Sequence, residues 1–218
     1  HKQGIANALN SLGVIAAAQG DFHTARSLYE ESLAARRELG DQRGLAISYG
    51  NLGVVALRLG DLAGARHYMD ESLRRYQEIG DKRGSATTLN EMGQLAHRQG
   101  QPALAYQHYR QALAMWQGLG SKEGLAASLE GIAMVAGEAD LASAGRLLDA
   151  ARLLGAADSL RESAIAPLLP SDAPLVLQAA DLLRQRLGSD AFTSAWKQGS
   201  QIDLEQAAAT ALRIAAEQ

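Results

Sequence analysis

Glycine occupies positions 20, 40, 60, 80, 100 and 120, and no other feature of the chain restricts its fold as strongly. The residues that follow are Asp21, Asp41, Asp61, Asp81, Gln101 and Ser121. Glycine enters the left-handed conformation that ends an α-helix without the steric penalty other residues meet. A short polar side chain next to it accepts a hydrogen bond from the free N–H groups that open a new helix. Together the pair stops one helix and starts the next. It predicts helices of about 18 residues, each ~27 Å long, joined by two-residue turns. Turns this short make consecutive helices antiparallel.

The sequence repeats over two helices rather than one. Gly4, Gly44, Gly84 and Gly124 share a forty-residue period with Leu12, Leu52, Met92 and Ile132. Gly13, Gly53 and Gly93, Ala25, Ala65 and Ala105, and Leu33, Leu73 and Leu113 keep the same step. Periods of roughly 20 to 50 residues belong to stacked arrays, because one hairpin cannot bury its own apolar face. In the second copy, helices are expected over about 42–59 and 62–79. Leu45, Tyr49, Leu52, Val55 and Ala56 then share one face. A glycine inside a helix costs ~1 kcal/mol against alanine. The recurrence of Gly53 and its equivalents therefore points to close approach of the second helix, with Ala65 opposite.

At 218 residues and 47% hydrophobic, the chain can bury a sizeable core. A net charge of −3 gives no field for nucleic acid or an anionic membrane. No apolar run nears the ~20 residues that span a bilayer, and no signal peptide is visible. With no cysteine, disulfides and thiolate metal sites are excluded. A cytoplasmic location is expected, free of membrane and of direct nucleic-acid contact. The start at His1, without methionine, reads as an excised fragment with a tag residue.

Leu12-Gly13, Gly20-Asp21, Ala25, Tyr29 and Ser32-Leu33 together resemble the tetratricopeptide repeat. Leu52-Gly53 through Leu73 and Met92-Gly93 through Leu113 are further copies. The forty-residue step is similar to the long-helix variety of kinesin light chains and GoLoco-binding scaffold proteins. The resemblance implies an all-α fold, a right-handed superhelical solenoid of antiparallel helix pairs with a C-terminal helical cap. Repeats are expected at about 2–40, 41–80, 81–120 and 121–163, the last degenerate, and the cap at 164–218. In the fourth copy Ala133 replaces the glycine, the turn reads Glu138-Ala139-Asp140, and the second helix is expected from Leu141 to about Ser163. Pro167, Pro170 and Pro174 then interrupt regular structure. Three shorter helices should follow, at about 174–187, 190–198 and 204–216. Asp203 with Gln206 resembles a capping box. Phe192 and Trp196, at i and i+4, should anchor the cap.

Leu153-Leu154-Gly155-Ala156-Ala157, then Phe192, Trp196 and Gly199, then Leu204-Glu205-Gln206-Ala207 resemble a second group. These are the C-terminal ends of bacterial signal-transduction ATPases with NB-ARC-type domains and of LuxR- or AfsR-like regulators. That resemblance implies a regulatory arm whose ATPase lies elsewhere, with other domains of the same polypeptide among its partners. No P-loop motif occurs in the chain.

Catalytic constellations are missing from the sequence. His1, His23, His67, His97 and His108 have no paired metal spacing, so neither metal nor cofactor is expected, and His97 reads as solvated. Glu30-Glu31 and Asp70-Glu71 are adjacent, so each pair points apart on solvated faces. Arg36-Arg37 and Arg74-Arg75 sit near helix C-termini, where cations favour the helix dipole.

Function then rests on surface. The family resemblance places the first helix of each repeat along a concave groove. It carries over Asn7, Asn10 and Val14 from the first repeat and Asn51, Val54 and Arg58 from the second. Asn90, Glu91, Gln94, His97 and Arg98 come from the third. Carboxamides such as Asn10, Asn51 and Asn90 can both donate to and accept from a peptide backbone. The family's two-carboxylate clamp is matched only by Asn10 and Asn51, since Val14, Thr87 and Glu91 stand where Asn, Lys and Lys or Arg are required. A protein or peptide sensor or scaffold without enzymatic activity is the expected function. A small-molecule receptor in the groove or at the cap junction, and an oligomerisation arm, are the alternatives.

Overall fold

The computed structural model describes residues 2–139, 143–168 and 172–216. Eleven helices follow one another among them: α1 (Lys2–Ala18), α2 (Phe22–Leu39), α3 (Gln42–Arg58), α4 (Leu62–Glu78), α5 (Lys82–Arg98), α6 (Pro102–Leu119), α7 (Lys122–Glu138), α8 (Ala144–Ala164), α9 (Ala173–Leu187), α10 (Ser189–Gly199) and α11 (Leu204–Ala216). No strand occurs among the described residues. The fold is all-α, built of consecutive helix pairs. Two compact units divide the chain, residues 1–95 and 96–218.

The glycine signals act as their chemistry requires. All six turn glycines have φ between +64° and +82°, a region closed to most side chains. After them, Asp21, Asp41, Asp61, Asp81 and Ser121 each accept a hydrogen bond from the backbone N–H three residues on. Gln101 makes no such bond. Pro102 follows it and enters the helix where no N–H donor is needed.

In the first unit, Tyr29 and Leu33 of α2 pack with Leu45, Leu52 and Val55 of α3. Met69 of α4 clusters with Met92 and Leu95 of α5. A Cβ added at Gly53 would collide with the Met69 side chain and come into van der Waals contact with the Met69 and Ala65 backbone. The close approach is therefore present, with Met69 rather than Ala65 as the nearest neighbour. Arg36 departs from the dipole reading: it is buried, and it donates to the Gly44 carbonyl and to Asn7 Oδ1. Arg37 donates to the Tyr49 hydroxyl, and the Arg75 guanidinium lies 5.0 Å from the Tyr49 ring centroid. Both are anchored to an aromatic ring and do more than complement a dipole.

In the second unit, α6, α8, α9 and α11 all contact α7. From Gly124 to Gly137 only Ala127 and Met134 keep partial exposure. Helix α8 begins at Ala144, capped by Ser143, which accepts from the Arg146 N–H. The expected start at Leu141, the turn residue Asp140, Pro170 and His1 lie outside the described residues. Helices α8 and α10 cross backbone to backbone: a Cβ on Gly155 would strike the Trp196 carbonyl, and one on Gly199 the Arg152 carbonyl. Phe192 is buried and stacks 5.6 Å from Trp196, as their spacing predicts. Asp203 and Gln206 form the reciprocal capping pair.

Candidate functional site

The first helices of the repeats in the first unit, α1, α3 and α5 (the A helices), each bury one stripe against their neighbours and turn another outward. Asn7 and Val14 are exposed on α1; Asn10, with Asn51, Val54 and Arg58 on α3, is half-buried. Asn90, Glu91 and Gln94 on α5 are half-buried too. Asn51 Nδ2 donates to Asn10 Oδ1 at 3.0 Å, bridging α1 and α3. Each amide keeps further hydrogen-bonding capacity, because a carboxamide carries two donors and two acceptor sites. Asn7 is held by Arg36 and Gln3. Arg58, Asn90 and Glu91 have polar partners of their own. Glu91, with Asp81, adds to the burial that pushes the Tyr76 hydroxyl up to about 12.

His97 and Arg98 belong to the second unit. Arg98 is exposed. His97 differs from the solvated reading: its side chain is 16% exposed, and its Nε2 lies 2.8 Å from Glu138 Oε2.

The second unit contains a cavity of about 690 Å³ among α7, α8, α9 and α10. Leu154, Val176, Leu177 and Trp196 form apolar walls, and Glu130 with Arg161 lies at its polar side. Arg161 grips Glu130 through Nε and Nη2 at 2.6 and 2.7 Å. Burial raises the Glu130 carboxyl above the ordinary carboxylate value, and the Arg161 contact opposes that rise. Ile165, also lining the cavity, ends α8 at φ +52°. It stands where earlier helices use glycine, a strained backbone for a β-branched side chain.

Sequence reasoning did not single out Glu130, Arg161 or Ile165. One signal was present. Glu130 is the only charged residue between Glu123 and Glu138, which marks a paired buried charge in an otherwise apolar helix. Among the described residues, no group of three or more His, Cys, Asp or Glu could hold a metal. None of the described helices is long and apolar enough to cross a membrane.

Two family profiles described as tetratricopeptide repeat match, over residues 4–78 and 85–119. No curated protein matches the chain. Among solved structures, the crystal structure of BtubC (BKLC) from P. vanneervenii is similar at 21% identity and a TM-score of 0.60. The match covers 95% of this chain and 78% of that one. At this identity the likeness concerns the fold alone.

Proposed function

From a chain that belongs to the tetratricopeptide-repeat family over residues 4–78 and 85–119, we propose a non-enzymatic interaction module that takes a protein or peptide on the A-helix face of α1, α3 and α5. One observation carries this reading: a set of half-buried amides, with Asn10 and Asn51 linked across two helices. Such amides are placed to bond a backbone laid across them. The test is co-purification of native partners with Asn51→Arg/Asn90→Arg. Loss of a partner supports the reading, and an unchanged set of partners contradicts it.

The repeats extend through residue 163 and the cap through 218, and the module serves as the regulatory arm of a larger cytoplasmic, bacterial signalling ATPase or transcriptional regulator. Other domains of the same polypeptide are among its partners. Its support is the sequence resemblance carried by Leu153-Leu154-Gly155-Ala156-Ala157, Phe192, Trp196, Gly199 and Leu204-Glu205-Gln206-Ala207. A nucleotide-binding domain encoded upstream of His1 is the expected result; its absence there removes this part of the proposal.

A second reading rests on the cavity, whose volume falls within the ~300–1,000 Å³ of small-molecule sites. There the module would be a receptor for an apolar metabolite with one polar group facing Glu130 and Arg161. Thermal shift against a metabolite library separates the two. A low-mass hit abolished by Leu177→Lys but kept by Asn51→Arg/Asn90→Arg favours the cavity.

A further inference from the structure

Resting on the reading of the cavity among α7, α8, α9 and α10 as a receptor site, we propose that its ligand is an amphiphilic amine. The apolar body lies against Leu154, Val176, Leu177 and Trp196, and the ammonium head meets Asp158 and Glu162 of α8. Charge and apolar exposure point independently to this class.

Among the described residues, four charged ones line the cavity, and three are acids: Glu130, Asp158 and Glu162. The fourth, Arg161, is already taken by Glu130 through two hydrogen bonds at 2.6 and 2.7 Å. Asp158 and Glu162 stand one turn apart on the same face of α8. Both are exposed, and among the described residues neither is in an ion pair. The surrounding field has the same sign. Carboxylates of Asp158 and Asp172 act on Glu130, and those of Glu123 and Asp172 act on Arg161. An anionic head would meet repulsion here, with Arg161 engaged elsewhere. A neutral head would gain far less than a cation from the two carboxylates.

Stability alone does not account for this lining. Glu162 falls in the last turn of α8, where the helix dipole disfavours an anion. Like charges four residues apart on a helix also repel. In the same lining, Ile165 and Leu177 are left 91 and 63% exposed. Ile165 adopts the left-handed backbone that glycine takes at the ends of α2 and α6. Each feature lowers the stability of the free chain. One molecule answers them together: its apolar part covers Ile165 and Leu177, and its head neutralises α8. Trp196 adds to the fit, since an indole ring is the best aromatic partner of an ammonium group.

The test follows the two tryptophan indole N–H signals of the full chain by NMR. Trp196 lines the cavity, and Trp116, buried on α6, is the internal reference. The probes are phenylbutyl and n-octyl chains, each carrying an amine, an alcohol or a carboxylate head. The expected result is a Trp196 shift with Trp116 fixed. The amine should bind at least fivefold more tightly than the alcohol, and the carboxylate weakest. Asp158→Asn/Glu162→Gln should bring the amine down to the affinity of the alcohol and leave alcohol binding unchanged. Added salt should shrink the advantage of the amine in the original chain. An alcohol or carboxylate that binds as well as the amine overturns the proposal, while the cavity remains a receptor site. So does an amine advantage that survives Asp158→Asn/Glu162→Gln, or a variant that loses amine and alcohol alike. No Trp196 shift with any probe, or shifts that persist in Leu177→Lys, removes the receptor reading and the proposal together.

Discussion

Equivalent points of the repeat meet opposite fates in the two units. Asn10 and Asn90 lie half-buried on A helices of the first unit, with an edge open to a partner. Glu130, three repeats beyond Asn10 and one beyond Asn90, is buried, clamped by Arg161 of α8, and lines the cavity rather than an open face. The repeat fixes where a side chain points. What packs over it decides whether that side chain recognises something or stabilises the fold. Helix α7 obeys the same stop and start signals as α3, yet with α9 and α11 packed on it, little of it remains accessible.

Arg161→Met is the hardest strain on this contrast. Removing one partner leaves the other charge buried, a loss of ~3–5 kcal/mol in urea unfolding at neutral pH. The sign with pH follows from the raised carboxyl. The folded state holds a proton on Glu130 more tightly than the unfolded state does, whose value is 4.5. With Arg161 gone, stability should be greatest below that value and fall as pH rises through the elevated one. A pH-independent loss would mean that packing, rather than charge, carries the pair.

In the first unit the largest effect is expected from apolar packing instead. Leu52 is 1% exposed between α2 and α3, so Leu52→Ala should cost ~2–5 kcal/mol through the cavity it leaves. An intermediate loss, ~1–3 kcal/mol, is expected for Gly155→Ala, where the new methyl meets a backbone carbonyl rather than a side chain that can swing aside. Denaturant midpoints check both. Asp61→Ala removes one N-cap bond and should cost about 1 kcal/mol. Asn51→Arg/Asn90→Arg completes the series: a stability loss of no more than ~1 kcal/mol by the same method, from the broken Asn10–Asn51 bond, combined with loss of partner binding.

The repeat was legible because its signals are local. A glycine at φ near +70° and the aspartate beside it announce themselves within two residues, and α3 and α4 begin and end close to where those signals place them, as the three C-terminal helices do where the prolines and the Asp203/Gln206 pair place them. The packing role of Gly53 was also readable, since only a close neighbour explains a glycine inside a helix. Arg36 was not. Its position near a helix C-terminus suggested dipole compensation, whereas the groups it bonds, the Gly44 carbonyl and Asn7, come from neighbouring helices. The Glu130–Arg161 pair spans 31 residues, and the cavity draws on four helices, so no single window of sequence contains it. His97 pairs with Glu138 across 41 residues, beyond the reach of any spacing rule.

The most direct test of the central claim is amide hydrogen exchange of the intact chain with and without a native binding partner at saturation. Protection should concentrate on α3 and α5 around Asn51, Val54, Asn90 and Gln94, leaving the outer faces of α2 and α4 unchanged. Protection confined to α2 and α4, or to the cap helices α9–α11, would contradict an interaction face built from the A helices.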